Sequence, residues 1–301
     1  MAAAEEKKVQ RTQCIHLLTF AHIFPHILAL HYHCNLEAME TNMSLPLSAW
    51  QPNLSTQSFE ARFGNNNSGL LISCEHANNG TGHFSTTAEE KELLHSHWGW
   101  DKGAAIVAKE LAMHFDCFSI FGQQSRLICD LNRTAEDINW IRTEIKGKKL
   151  TFNQQISLQE RNRRLQRVFF PYHKLLNQAA QVAPSTLLSV HSMTPVYEGN
   201  VREMDIAVLH CGHATEAHAL ALALASMGFS TAINKPYSGL DATTSPLHTL
   251  AARHQMPVLW LEINQRLVGS VQESRELGRD IAVAMDRWQQ ELLELATEQA
   301  A

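Results

Sequence analysis

Short apolar runs rich in branched residues recur along the chain at Gly69 to Cys74, Phe118 to Phe121, Leu127 to Leu131, Thr186 to Val190, Asp205 to Leu209 and Pro257 to Ile263. Several are apolar at consecutive positions, as in strands covered on both sides. Between them, Lys102 to Phe115, Gln154 to Val182, Thr215 to Met227 and Ser270 to Leu295 repeat apolar residues every three or four positions, the period of an amphipathic helix. The alternation predicts an α/β fold: a single-domain sandwich with a mostly parallel or mixed central sheet and helices on both faces. Gly64 to Gly69 (GNNNSG) reads as a loop into the first of these strands, and no internal repeat or Pro/Ser-rich linker divides the chain after Met43.

The chain has 301 residues, a hydrophobic fraction of 45% and a charged fraction of 18%, which argues against disorder. With 25 Lys+Arg against 30 Asp+Glu and no long basic run, it lacks the charge that drives general nucleic-acid binding, so no nucleic-acid partner is expected. The 6 cysteines include no CxxC pair, and neither a zinc knuckle nor a disulfide scaffold is indicated, which makes a cytoplasmic compartment the default.

Residues 1–42 read differently. Cys14 to Cys34 carries no Asp, Glu, Lys or Arg and is long enough on paper to cross a bilayer, but His16, His22, His26, His31, His33 and Pro25 interrupt it. Burying so many imidazoles in lipid is costly, so a membrane span is not expected. Lys7, Lys8 and Arg11 are not followed by a small-residue cleavage site of a secretory signal. Residues 1–42 are expected to be a disordered or dispensable extension, and residues 43–301 the catalytic domain.

In open α/β sheets, binding sites gather beyond the carboxyl ends of strands. Four apolar runs end in suggestive polar residues: Cys74-Glu75-His76-Ala77-Asn78-Asn79, Cys129-Asp130-Leu131-Asn132-Arg133, Val190-His191-Ser192-Met193 and Leu261-Glu262-Ile263-Asn264. Any one of them is weak, because strands often end in satisfied polar groups. Together they place two histidines, an Asn-Arg pair and a carboxylate at one sheet edge, a combination that resembles a mononuclear zinc hydrolase site.

On the pieces LLISCEHANN (70–79), HWGWDKGA (97–104), SRLICDLNR (125–133), PYH (171–173), SVHSM (189–193) and LWLEINQ (259–265), the sequence resembles the N-formylglutamate amidohydrolase family. Each piece is short, but they run in family order over residues 70–265. More distantly, the DLNR and HS pieces are similar to aspartoacylase and the zinc carboxypeptidases, which implies a phosphorylase/hydrolase-like fold. The resemblance implies one zinc ion per chain and a small N-acyl amino acid as substrate.

His76 and His191 suit zinc as neutral imidazoles. The third ligand departs from the carboxypeptidase pattern of His followed three residues later by Glu, since that position is Asn79. Asp101 is preferred over Glu75, because neighbours on an extended strand point to opposite faces and Glu75 and His76 would not reach one ion together. The competing role for Asp101 is to cap a helix starting at Lys102. Glu262, at the end of an apolar run, sits in a partly dry setting suited to proton transfer, and the resemblance makes it the general base. Its bland alternative is a buried glutamate paired with an arginine.

Asn132 and Arg133 form a pair suited to gripping a substrate carboxylate, with Arg202 a further substrate-binding candidate. Arg126 is placed like the arginine that steadies the oxyanion, and Asp130 is expected to orient an arginine. His210 and His213 with Cys211 lack a carboxylate spaced to complete a metal site and read as structural. Arg161, Arg163, Arg164 and Arg167 read as a solvated helix face. The function expected is zinc-dependent hydrolysis of N-formylglutamate to formate and glutamate. Its competitors are another N-acyl amino acid deacylase, a carboxypeptidase-like enzyme, or a catalytically silent ligand-binding member of the fold.

Overall fold

The computed structural model describes residues 53–65, 67–182, 186–240 and 245–300. The expectations for residues 1–42 lie outside them. Strands β1 (Asn53–Ser55) and β2 (Phe59–Arg62) lead into β3 (Leu70–Cys74), helices α1 (Ala88–His95) and α2 (Ala104–His114), and β4 (Phe118–Gly122). A small hairpin of β5 (Glu144–Ile145) and β6 (Lys148–Lys149) precedes α3 (Leu158–Arg164), a π-helical turn (Leu165–Phe169) and α4 (Phe170–Val182). Next come β7 (Thr186–Met193), a second hairpin of β8 (Val196–Tyr197) and β9 (Asn200–Val201), and β10 (Ile206–His210). The chain continues through α5 (Ala214–Ser226), β11 (Thr231–Ile233), α6 (Pro246–His254), β12 (Val258–Asn264) and α7 (Val271–Ala300).

Among the described residues, eight strands form one mixed sheet in the order β1-β2-β4-β3-β7-β12-β10-β11. The centre is parallel, β4 with β3, β3 with β7 and β7 with β12, whereas β10 runs antiparallel to β12. Central strands such as β3 and β7 are buried at every position because helices cover both faces, which explains their continuous apolar character. On one face Val107, Leu111, Leu220, Leu224, Ile281, Met285 and Trp288 of α2, α5 and α7 pack into the main core. On the other face α4 packs against β4 and α6 against β12. No helix among the described residues is long and apolar enough to cross a membrane.

Two expectations are corrected. Leu127 to Leu131 is buried but is not a strand; its backbone bonds within turns, Ile128 N–H to Ser125 C=O at 2.9 Å and Asp130 N–H to Trp140 C=O at 2.9 Å. Leu127 joins a small separate core with Leu94, Ile145 and Leu150, so the apolar signal reported burial rather than sheet pairing. The arginine stretch is a solvated face only in part: Arg163 and Arg167 are exposed, but Arg161 and Arg164 are not free in solvent. Arg164 is only 2% exposed, and its guanidinium donates to Ile128 C=O, Asn153 Oδ1 and Phe152 C=O while pairing with Glu160. Arg161 lies over the Trp140 ring at 4.6 Å. These arginines fasten the helix to the turn segment that carries Asp130, Asn132 and Arg133.

The apolar pattern alone misses α1, whose signal lies in its cap. Thr87 and Glu90 form a reciprocal capping box, with Thr87 Oγ1 accepting from Glu90 N–H at 3.2 Å and Glu90 Oε2 accepting from Thr87 N–H at 2.7 Å.

Candidate active site

His76 lies in the turn after β3, His191 near the carboxyl end of β7, and Asp101 in the segment before α2. That segment is pinned from several sides: Asp101 N–H donates to His76 C=O at 2.9 Å, Ser125 Oγ to Gly99 C=O at 2.8 Å, and Ser192 Oγ to Lys102 C=O at 2.8 Å. One atom each from His76, Asp101 and His191 lies within 4.8 Å of the other two, and all three residues are buried. Asp101 Oδ2 stands 2.8 Å from His191 Nδ1 and 3.4 Å from His76 Nδ1. The cap of α2 is Gly103, with no side-chain cap bond, so the Asp101 carboxylate is turned into the site instead of onto the helix.

The far nitrogens of both rings face carboxylates. His76 Nε2 is 2.8 Å from Asp130 Oδ1, and His191 Nε2 is 3.1 Å from Glu75 Oε2. A carboxylate can only accept, so each Nε2 is placed to donate a hydrogen; in the neutral His76 ring Nδ1 is then left as an inward lone pair, whereas His191 Nδ1, 2.8 Å from Asp101 Oδ2, offers its lone pair only where a cation rather than a proton stands between them. Two imidazole nitrogens and a carboxylate oxygen converge, and His76 Nδ1 is buried without a hydrogen-bond partner. Three such atoms facing one another can hold a cation. Tetrahedral zinc with bonds of about 2.0–2.1 Å spaces its donors by about 3.3 Å, against 2.8 and 3.4 Å from Asp101 Oδ2 to the two Nδ1 atoms and at most 4.8 Å between any two of the three, and two His and one Asp are a suitable donor set with a position left open. The residues fit a metal ion.

Electrostatics follow from this packing. Burial, then the charge of Arg126, pushes the His76 pKa down and keeps the ring neutral, against the pull of Asp130. Burial would raise the Asp130 carboxyl, but His76, Arg126 and Arg133 outweigh it and hold the group ionised. Asp130 Oδ1 also accepts Asn132 N–H at 2.9 Å, and its Oδ2 lies 3.5 Å from Arg133 Nε. The expected arginine partner of Asp130 is thus secondary; its shorter contact is with His76.

Arg126 donates to Asp101 Oδ1, while its Nε is buried without a partner. Glu262 is half-buried, and its charge acts on both Arg126 and Tyr237. Arg133 pairs with Asp137 at 2.8 Å, and its side chain is 33% exposed. Asn132 Oδ1 accepts from Ser245 Oγ at 2.8 Å, which fixes the amide. Arg202 lies over the Tyr197 and Tyr237 rings at 5.1 and 5.0 Å, apart from the metal-type cluster but tied to the same end of β12 through Asn264, whose Nδ2 donates to Arg202 C=O at 2.9 Å. His210, Cys211 and His213 are not among the potential metal-holding clusters of the described residues.

Sequence reasoning alone did not place Glu75 against His191 Nε2, Ser189 3.0 Å from the same nitrogen, Tyr172 3.1 Å from Glu75 Oε1, or Tyr197 and Tyr237 against Arg202. Strand alternation was the available signal for Ser189, which shares a face with His191 two positions on. Glu75 is not one of the three clustered residues, but β3 ends at Cys74, and in the turn beyond it Glu75 faces His191 Nε2 while His76 faces Asp101.

A family profile described as N-formylglutamate amidohydrolase matches residues 68–268. No curated protein sequence matches the chain. Among solved structures, a gene product of Agrobacterium tumefaciens is similar with a TM-score of 0.71 at 24% identity, covering 79% of this chain and 96% of its own. An N-formylglutamate amidohydrolase from Ralstonia eutropha is similar with a TM-score of 0.63 at 15% identity, covering 79% of this chain and 99% of its own. At these identities the likeness is one of fold.

Proposed function

The chain belongs to the N-formylglutamate amidohydrolase family, and from that premise we propose that it is a zinc-dependent enzyme converting N-formylglutamate and water to formate and glutamate. The observation that carries this reading is the convergence of His76 Nδ1, His191 Nδ1 and Asp101 Oδ2, with both distal ring nitrogens held by carboxylates. These three residues would hold the ion. When bound, zinc supplies a Lewis acid that polarises the scissile carbonyl and acidifies the attacking water.

The chain's own groups do the rest. Glu262 takes a proton from the attacking water and passes it to the leaving amine as the amide C–N bond breaks. Arg126, with its Nε unpartnered, offers a donor to the carbonyl oxygen as negative charge develops there. Arg133, with Asn132 fixed beside it, binds a substrate carboxylate, and Arg202 supplies a second cationic contact. Free thiols at Cys74, Cys117, Cys129 and Cys211 accord with a cytoplasmic setting.

The test is metal analysis of the purified protein joined to a panel of N-formyl and N-acetyl amino acids, read as released carboxylic acid. The expected result is one zinc per chain and fastest release of formate from N-formylglutamate. Zinc-loaded protein that releases acid from no member of the panel would overturn the assignment.

A further inference from the structure

Glu75 is the least exposed carboxylate near the site, at 1%, and it lies on the far side of His191 from the Asp101 cluster. Burying a carboxylate is expensive unless donors meet it. Tyr172, from α4 on one face of the sheet, donates its hydroxyl to Oε1 at 3.1 Å, and Ser189, on β7, donates to Oε2 at 2.6 Å. The parallel register explains the placement. Ser73 pairs with Ser189, so Glu75, two residues beyond Ser73, arrives level with His191.

The contacts of Ser189 decide the direction of the hydrogen bonds. Its hydroxyl hydrogen is committed to Glu75, so toward His191 Nε2, 3.0 Å away, it presents a lone pair. Both groups facing Nε2 are therefore acceptors.

We propose that Glu75 is a positioning residue: clamped by Tyr172 and Ser189, it accepts the Nε2–H of His191 and so fixes the ring rotation and tautomer that aim Nδ1 at His76 and Asp101. This rests on the reading of His76, Asp101 and His191 as metal ligands. It matches on the second histidine what Asp130 does on the first, with a partner from a different strand end. The clamp also links α4 to the site through Tyr172, so helix packing bears on the orientation of a ligand.

The experiment uses the full chain, stripped of metal and folded as judged by circular dichroism. Zinc affinity is measured by competition with a chromophoric chelator for wild type, Glu75→Gln and Tyr172→Phe, and the imidazole 15N shifts of His191 are recorded in metal-free wild type. Glu75→Gln keeps the side-chain shape but removes the charge, and is expected to weaken zinc binding by about 10–100-fold, with Tyr172→Phe weaker than wild type by a smaller factor. His191 Nε2 is expected at its protonated shift. Wild-type zinc affinity in both variants, or an unprotonated Nε2 in wild type, would overturn the proposal. If Glu75→Gln does not fold, Tyr172→Phe and the wild-type shift decide. A wild type that binds no zinc would instead refute the metal reading, and the Nε2 shift would still judge Glu75.

Discussion

Glu262 stands directly opposite His191 in the parallel pairing of β12 with β7. Side chains at paired positions of adjacent strands emerge on the same face, so the proposed base and a proposed ligand are held side by side by backbone hydrogen bonds. The geometry does not depend on a mobile loop.

Glu262→Gln should therefore leave the metal cluster intact, because Gln fills the same space on the same rigid strand. Zinc content is expected to stay at the wild-type level while kcat falls by about 10²–10⁴-fold. Full turnover in this variant would remove Glu262 from the mechanism.

Asp101→Ala takes away the oxygen shared by both imidazoles and also releases Arg126. The purified variant is expected to lack stoichiometric zinc by elemental analysis. Retained zinc would return Asp101 to a purely structural role.

Arg133→Ala is expected to raise KM about 10–100-fold with kcat little changed, the signature of lost ground-state binding to a charged group. Steady-state kinetics with N-formylglutamate separates this from a catalytic role, in which kcat would fall instead.

His173 holds the turn segment through Leu131 C=O, 2.9 Å from its Nε2. Burial lowers its pKa from 6.5 to about 4. The unfolded chain takes up this proton near pH 6.5 and the folded protein only near pH 4, so acid favours unfolding across that window. The contribution is fully present above about pH 6.5 and is lost as pH falls toward about 4. Urea unfolding of metal-free His173→Gln at a series of pH values should show a shallower loss of stability between those limits.

Gly103 combines φ +78° with a position where an added Cβ would lie 2.4 Å from Val268 Cβ. Gly103→Ala is expected to cost about 2–4 kcal/mol from left-handed backbone strain and overpacking together. Thermal unfolding measures that loss, and zinc affinity should fall with it because Asp101 lies two residues upstream.

The apolar runs at 69–74, 186–190 and 257–263 were legible as central strands because a covered sheet demands apolar residues at successive positions. The polar residues at their ends were legible as a site because strand ends are where the backbone ladder stops and side chains are free to converge. His76, His191 and Glu262 could be picked out on those grounds. Leu127 to Leu131 was misread for the converse reason: burial in a small core against Leu94 and Leu150 produces the same one-dimensional signal as a strand. Arg164 of α3 was misread as solvated because charge alone does not reveal that it has carbonyls waiting for it in the 128–153 region.

The sequence by itself determined the alternation of strands and helices, the sheet edge at which the chemistry gathers and the residue types available there. Only the tertiary structure decided how Asp101, Asp130 and Glu75 divide their work. All three carboxylates are near the histidines, but Asp101 faces both Nδ1 atoms, Asp130 the Nε2 of His76, and Glu75 the Nε2 of His191. That division depends on where β3 ends and how it registers with β7, and on a turn segment pinned by a buried arginine. These are distances between residues far apart in the chain, and hydrophobic period and local spacing do not encode them.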